Sequence, residues 1–308
     1  ASYKYFVDFA AANGISYVIL DEWWSDQFDL LLPNSRLDME FLTNYAKNKG
    51  VGLILWTVWH TIERQKAEAF ELFQKWGIAG VKVDFINRDD QLGVEFYENF
   101  ARDAARYQLL VDYHGCSKPT GLHRTYPNLI NYEAVRGIEY NKFSSQPNTP
   151  GHDADVAFIR MLAGPMDYTP GAMDNAVQGE FHTSFENPMG YGTRCHQLGM
   201  FVVYFAPLQM LCDAPTRYEK YPDILAFLSD VPTTWDETVA LDGKLGEFAV
   251  IARRKGDDWY IGGITDWSGR DVEIDLSRFA EGRYEAEIFR DGINAHRLAE
   301  DYFHETMK

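Results

Sequence analysis

The sequence predicts an α/β fold, a (β/α)8 barrel followed by a C-terminal antiparallel β-domain. Three observations carry this. Short, nearly uninterrupted apolar runs alternate with helical patterns over the first two-thirds of the chain; acidic and imidazole residues stand at the ends of those runs; and from about Pro232 onward the pattern changes to short, alternating β-rich runs. Continuous apolar runs are how parallel strands buried on both faces look. A repeated strand and helix implies right-handed crossovers, in a doubly wound sheet or a barrel. Asp21, Asp84, His114, Glu133 and Asp167 lie at or just past predicted strand ends, where a barrel collects its site. No G-x-G-x-x-G or G-x-x-x-x-G-K-[ST] pattern opens a helix, which removes the main support for a nucleotide-binding open sheet.

In chain order, a helix is expected at residues 5–12 and strands at 15–20, 51–58, 80–85, 109–113, 129–132, 162–168 and 208–212. Helices are expected at 39–49, stopped by Gly50, at 62–76, stopped by Gly77, and at 92–107; glycine past the last turn is the usual stop signal. The barrel is assigned to residues 1–231. The β-domain takes 232–308, with strands at 248–253, 259–265, 271–275 and 284–289 between turns at 255–258, 267–270 and 281–283. A helix opens the chain where a barrel strand should precede it. The first strand is therefore expected upstream, and a barrel with open edges is expected to pair with that missing material.

The chain has 308 residues, with 29 Lys plus Arg against 46 Asp plus Glu and a net charge of −17, a balance that argues against a nucleic-acid partner. Its 46% hydrophobic and 24% charged residues fit a large core rather than global disorder. The longest apolar stretch, around residues 200–210, is interrupted by Pro207 and Gln209, so no membrane span is expected. Cys116, Cys195 and Cys212 form no C-x-x-C pair. Aromatics reach 15%; sugar faces stack on such rings, and core packing uses them too.

Two constellations carry chemistry. In Val81-Lys82-Val83-Asp84-Phe85, alternate residues share one strand face, so Lys82 and Asp84 both face the barrel interior. An ammonium beside Asp84 keeps it ionised, as a nucleophile needs, and can bind a substrate hydroxyl; a structural ion pair is the alternative. The run 131–139, Asn-Tyr-Glu-Ala-Val-Arg-Gly-Ile-Glu, places Glu133 and Glu139 near one strand end as an acid catalyst and a metal ligand, or as surface carboxylates. Oxygen donors suit a hard cation such as Ca2+. Arg136 between them is a clamp for hydroxyls or a charge partner. Two carboxylates at one site are what glycosidic cleavage requires, and Trp23, Trp24, Trp56 and Trp59, each at a predicted strand end, are candidate sugar platforms. Lyase or aldolase chemistry also fits a Lys-x-Asp pair. Residues 164–171 are proline-interrupted and acidic, which suits neutral polyols better than phosphates.

At these motifs the chain resembles glycoside hydrolase family 97. The supporting stretches are 81–85, Leu-Val-Asp-Tyr-His-Gly at 110–115, Lys-Pro-Thr-Gly at 118–121, Arg-Thr-Tyr-Pro-Asn at 124–128, 131–139 and 162–171. The resemblance implies an N-terminal β-sandwich, absent here, a catalytic barrel, a C-terminal β-domain and calcium at the site. It also implies that an isolated fragment binds calcium weakly, because some ligands come from the missing domain. The family's inverting branch has a base glutamate after the histidine matching His114; this sequence has Gly115 there and keeps Asp84, so it is similar to the retaining branch. By that resemblance Asp84 is the nucleophile, Glu139 the acid/base, and Glu133 and Glu139 are calcium ligands. Asp21, Trp23, Trp56, Lys82, His114, Arg136 and Asp167 are expected to bind substrate. The implied activity is a retaining exo-α-galactosidase acting on an oligosaccharide. A β-L-arabinopyranosidase, an α-glucosidase or a non-catalytic sugar-binding fragment are the alternatives. Family habit implies a periplasmic or secreted location.

Overall fold

The computed structural model describes residues 2–279 and 282–308. The chain divides into two compact units, residues 1–134 with 163–166 and residues 135–162 with 167–308. The first unit runs α1 (Ser2–Ala12), β1 (Tyr17–Leu20), α2 (Met39–Asn48), β2 (Gly52–Val58), α3 (Trp59–Trp76), β3 (Gly80–Asp84), α4 (Gln91–Arg106), β4 (Leu110–Tyr113) and β5 (Leu129–Tyr132). All five strands are parallel neighbours in chain order, β1-β2-β3-β4-β5. This is the strand and helix alternation of a (β/α)8 barrel.

Local chemistry explains the boundaries. The Asp38 carboxylate accepts from the Phe41 amide at 2.9 Å and opens α2, Asp90 accepts from Gly93 at 3.1 Å and opens α4, and Gly77 at φ +69° closes α3. Leu55, Val81, Val83 and Val111 of the strands are fully buried with Phe70, Phe73 and Phe100 of the helices. Each such side chain contributes roughly 1.5–3 kcal/mol relative to exposure.

The second unit begins with a 3₁₀ turn at Ile138–Lys142, followed by α5 (Pro150–Ile159), the two-residue strands β6 (Asn175–Ala176) and β7 (Gly190–Tyr191), α6 (Arg194–Val203), α7 (Pro215–Tyr218) and α8 (Pro222–Asp230). An antiparallel sheet of β8 (Glu237–Lys244), β9 (Phe248–Lys255) and β10 (Asp258–Thr265) comes next, and then the pair β11 (Ala286–Asp291) and β12 (Tyr302–Met307). Glycine lets α6 lie on β10: a Cβ at Gly199 would stand 2.7 Å from the Gly263 carbonyl, and one at Gly262 2.6 Å from Val202 Cβ. Arg253 on β9, 3% exposed, donates to the Val202 and Val203 carbonyls at 2.6 and 2.9 Å and so closes the end of α6. Burial lowers its pKa to about 10, which leaves it charged at neutral pH. Among the described residues no helix is long and apolar enough to cross a membrane.

Several element expectations are corrected. No strand forms over 162–168: Gly164 adopts φ +136°, and Pro165 has no amide to donate to a ladder. Residues 208–212 are also irregular, since a continuous apolar run does not distinguish a strand from other buried chain. The alternation at 271–275 forms no strand. The turn expected at 281–283 begins outside the described residues. Strands β8 and β12 were not expected because most of their side chains are exposed and their apolar signal is weak.

Candidate active site

Parallel strands deliver their C-terminal ends to one edge of the first unit's sheet. The register pairs Trp56 with Lys82, Lys82 with Asp112, and Asp112 with Asn131, so these residues form one row across the sheet. Val58 pairs with Asp84 one step further along. The ladder continues past the named strands, the His114 amide donating to Val83 at 2.8 Å and that of Glu133 to Tyr113 at 2.8 Å, which puts Asp84, His114 and Glu133 in a second row.

The chain leaves these strands through left-handed backbone. Trp23 (φ +82°) follows closely on Asp21, Phe85 (φ +58°) on Asp84, Ala134 (φ +39°) on Glu133, and Gly115 (φ +50°) on His114. A non-glycine residue held there costs on the order of 1–3 kcal/mol, and such strain clusters at functional sites. In the second unit Thr169 (φ +57°) follows Asp167 in the same way.

Asp84 is held by two donors: the Trp56 indole Nε1 reaches Oδ2 at 2.9 Å and the Phe85 amide reaches Oδ1 at 2.6 Å. The Lys82 ammonium pairs with Asp21 at 2.8 Å, spanning from β3 to the end of β1. Burial opposes ionisation of Asp21, but the Lys82 charge and hydrogen bond outweigh it and hold the carboxyl below the usual carboxylate range. The tryptophans also separate. Trp24 and Trp56 are 1% and 4% exposed, so neither offers an open ring face; the Trp24 indole donates to the Trp56 carbonyl at 2.6 Å. Trp59 packs edge-on against Phe96. Trp23 is 75% exposed and keeps the properties of a platform.

His114 is buried, its Nε2 3.5 Å from Asp112 Oδ2 and its Nδ1 3.8 Å from Glu133 Oε1. Glu133 Oε2 accepts from the Gly115 amide at 2.7 Å. Asp112 was absent from the sequence candidates. It is 1% exposed, and among the described residues neither of its oxygens accepts a hydrogen bond. Its signal was an aspartate inside the apolar run Leu-Val-Asp-Tyr-His, two residues before His114 and so on the same strand face. Gly115 is required sterically: a Cβ there would lie 2.9 Å from the Phe85 nitrogen.

The remaining candidates belong to the second unit. Glu139 is exposed on the 3₁₀ turn Ile138–Lys142. Arg136 donates to Ser144 Oγ at 3.3 Å and to the Gln146 carbonyl and lies 5.3 Å from the Tyr140 ring centroid, so it closes its own loop. Asp167 is buried.

Comparison with known proteins gives this arrangement a family. The model for glycoside hydrolase 97 matches residues 1–135, and the model described as glycosyl-hydrolase 97 C-terminal, oligomerisation, matches residues 234–308. The chain belongs to glycoside hydrolase family 97. Within that family it is 48% identical over 304 residues to a retaining alpha-galactosidase of Bacteroides thetaiotaomicron, covering 98% of this chain and 46% of the relative. It is 32% identical over 296 residues to a probable retaining alpha-galactosidase of Streptomyces bingchenggensis, covering 94% and 44%. A family 97 enzyme from Pseudoalteromonas sp. strain K8, solved in complex with acarbose, matches with a TM-score of 0.89 at 35% identity, over 99% of this chain and 52% of that one. The family 97 chain thus spans about half the length of the curated relatives it matches.

Proposed function

We propose that this chain carries the catalytic residues of a retaining exo-α-galactosidase, with Asp84 as nucleophile and Glu139 as acid/base. The observation that supports this best is the setting of Asp84: a carboxylate at the C-terminal end of a parallel strand, with each oxygen engaged by one donor and lone pairs left to attack. The likeness to a retaining alpha-galactosidase supplies the sugar.

In the first step an Asp84 oxygen attacks the anomeric carbon as the bond to the departing oxygen breaks. Glu139 gives its proton to that oxygen. In the second step Glu139 takes a proton from water, whose oxygen displaces Asp84 from the anomeric carbon; two inversions give net retention. Carboxyl pairs of retaining glycosidases work at a separation of about 5–5.5 Å. Asp21 and Lys82, paired at 2.8 Å, offer an acceptor and a donor to adjacent sugar hydroxyls, and the exposed Trp23 offers a ring face.

Calcium is part of the proposal. The donor set fits a hard cation: Glu133 and Glu139 are carboxylates, and the buried Asp112 oxygens lack a hydrogen-bond donor among the described residues. Glu133 and Glu139 would hold the ion, which supplies fixed positive charge beside the acid when bound. An oligosaccharide is the proposed substrate, and the remaining half of the relatives' length the proposed intramolecular partner.

The test replaces the nucleophile in the full-length enzyme. Asp84→Gly should lower turnover of an aryl α-galactoside on the order of 10⁴-fold or more, and azide should restore activity by occupying the vacated space. Undiminished turnover by this variant overturns the assignment. Parallel assays with aryl β-L-arabinopyranosides and α-glucosides identify the sugar.

A further inference from the structure

The turn that carries Glu139 rests on a buried polar chain inside the second unit. Asn148, 2% exposed, directs its side-chain amide at the carbonyls of Arg136 and Gly137, at 2.7 and 2.8 Å, the two residues that lead into the 3₁₀ turn. Two carbonyls around one nitrogen fix which way the amide points. The Asn148 backbone amide donates to Asn141 Oδ1 at 2.9 Å, which ties the far side of the same turn. Glu139 therefore lies between two points held by one asparagine.

Asn148 is itself oriented. Its amide also reaches the Tyr168 hydroxyl at 3.1 Å, and that hydroxyl donates to Asp153. Burial and the Asp153 charge push the Tyr168 phenol well above its ordinary range, so it stays a donor to Asp153 and an acceptor from Asn148. Asp153 is fixed in turn by His196 Nε2 at 3.0 Å, and its carbonyl accepts from Tyr204 at 2.8 Å. The Ile138 amide donates to the Tyr168 carbonyl at 3.1 Å, and a Cβ on Gly137 would stand 2.9 Å from that oxygen, so the turn and the backbone at Tyr168 lie in close contact.

We propose that Asn148, oriented by Tyr168 and Asp153, is a positioning residue that sets the direction of the Glu139 carboxyl for proton transfer to the leaving oxygen. This rests on the acid/base role given to Glu139 above. A positioned general acid contributes about 10²–10⁴-fold, and most to substrates whose leaving group is a poor one. A misdirected acid loses that share while an activated leaving group departs unaided.

The experiment measures kcat/KM, which reports the step that breaks the glycosidic bond, for aryl α-galactosides from dinitrophenyl to phenyl, with the full-length enzyme and its Asn148→Ala, Tyr168→Phe and Glu139→Gln variants. Asn148→Ala should lose about 10- to 100-fold on the phenyl substrate and less than about threefold on the dinitrophenyl one, with Tyr168→Phe showing the same slope at smaller size. Asn148→Ser, which keeps one donor, should recover part of the loss. Equal losses on both substrates, or none on either, overturn the proposal, and Tyr168→Phe decides the matter if Asn148→Ala does not fold. The Glu139→Gln control separates the two readings. If it shows no leaving-group dependence, the acid/base assignment fails; if it does and the Asn148 and Tyr168 variants do not, only the positioning role fails.

Discussion

The two units hold their candidate carboxylates by different means. In the first, Asp84 and Glu133 are placed by strand register and by the left-handed residues that follow them. In the second, Glu139 stands on a single 3₁₀ turn whose geometry is set by side chains that reach it from Asn148. A group carried on a strand end is fixed by backbone hydrogen bonds that most side-chain replacements leave intact. A group carried on a turn depends on the particular donors beneath it. The strand-borne acids should therefore be most sensitive to changes that move the backbone, and the turn-borne acid to the loss of one buried amide.

The largest effect that would break this contrast is at Gly115. Its φ of +50° disfavours any side chain by about 1–2 kcal/mol, and the 2.9 Å approach to the Phe85 nitrogen adds an overpacking cost of about 1–3 kcal/mol. Gly115→Ala should lower the unfolding free energy by about 2–5 kcal/mol and move the denaturant midpoint accordingly. Gly77, also left-handed at +69° but with nothing within 4 Å of a Cβ, is the control, and its alanine variant should lose only about 1 kcal/mol. Equal losses at the two sites would show that the strand end is no more tightly built than a helix cap. The same contact explains in steric terms why this chain has glycine after His114: a larger residue would press on the amide that donates to Asp84.

A smaller effect is expected at Trp56. Its indole, 2.9 Å from Asp84 Oδ2, is the side-chain donor that holds the carboxylate within a row otherwise set by the sheet. Trp56→Phe keeps a ring at this buried position and removes one hydrogen bond, which at about 1.4 kcal/mol corresponds to roughly a tenfold loss in kcat/KM. In an Asp84→Gly background rescued by azide, the same change should add little, since the indole acts through that carboxylate. A full tenfold loss there would place Trp56 in sugar binding instead and sharpen the comparison in that direction.

Much of the first unit was legible in the sequence because its signals are local and repeated. Apolar runs at 51–58 and 80–85 are strands within a residue or two of their expected bounds, and Gly77 ends α3 as expected. The second unit was less legible. Helix α6 is buried around almost its whole circumference, so no polar face gave it a helical period, and the run 162–168 has strand composition but the wrong backbone at Gly164 and Pro165. The site divides in the same way. Alternation along β3 put Lys82 and Asp84 on one face, yet it could not show the ion pair of Lys82 with Asp21, because Asp21 arrives from a strand two places away in the sheet. Asn148 carried no signal, since an asparagine in a polar loop acquires meaning only when Arg136, Gly137 and Tyr168 close around it.

The smallest expected effect concerns that same ion pair. Burial opposes ionisation of the Asp21 carboxyl, but the Lys82 charge and hydrogen bond, with the Glu22 amide, together hold it below its ordinary range. A carboxyl whose folded pKa is depressed contributes stability that is fully present above its unfolded value, about 4, and is lost as the pH falls through the lower folded value. Because the Asp21 side chain is 56% exposed, solvent screening keeps the contribution below about 1 kcal/mol. Urea midpoints of the native protein and of Asp21→Asn should therefore differ slightly at neutral pH, and the gap should close as the pH is taken below about 4. A gap that stays constant across that range would show that Asp21 stabilises the strand ends by hydrogen bonding alone. In that case the charge on Lys82 would be left to act on substrate, and the end of β1 would be held, like the Glu139 turn, by side-chain donors and acceptors.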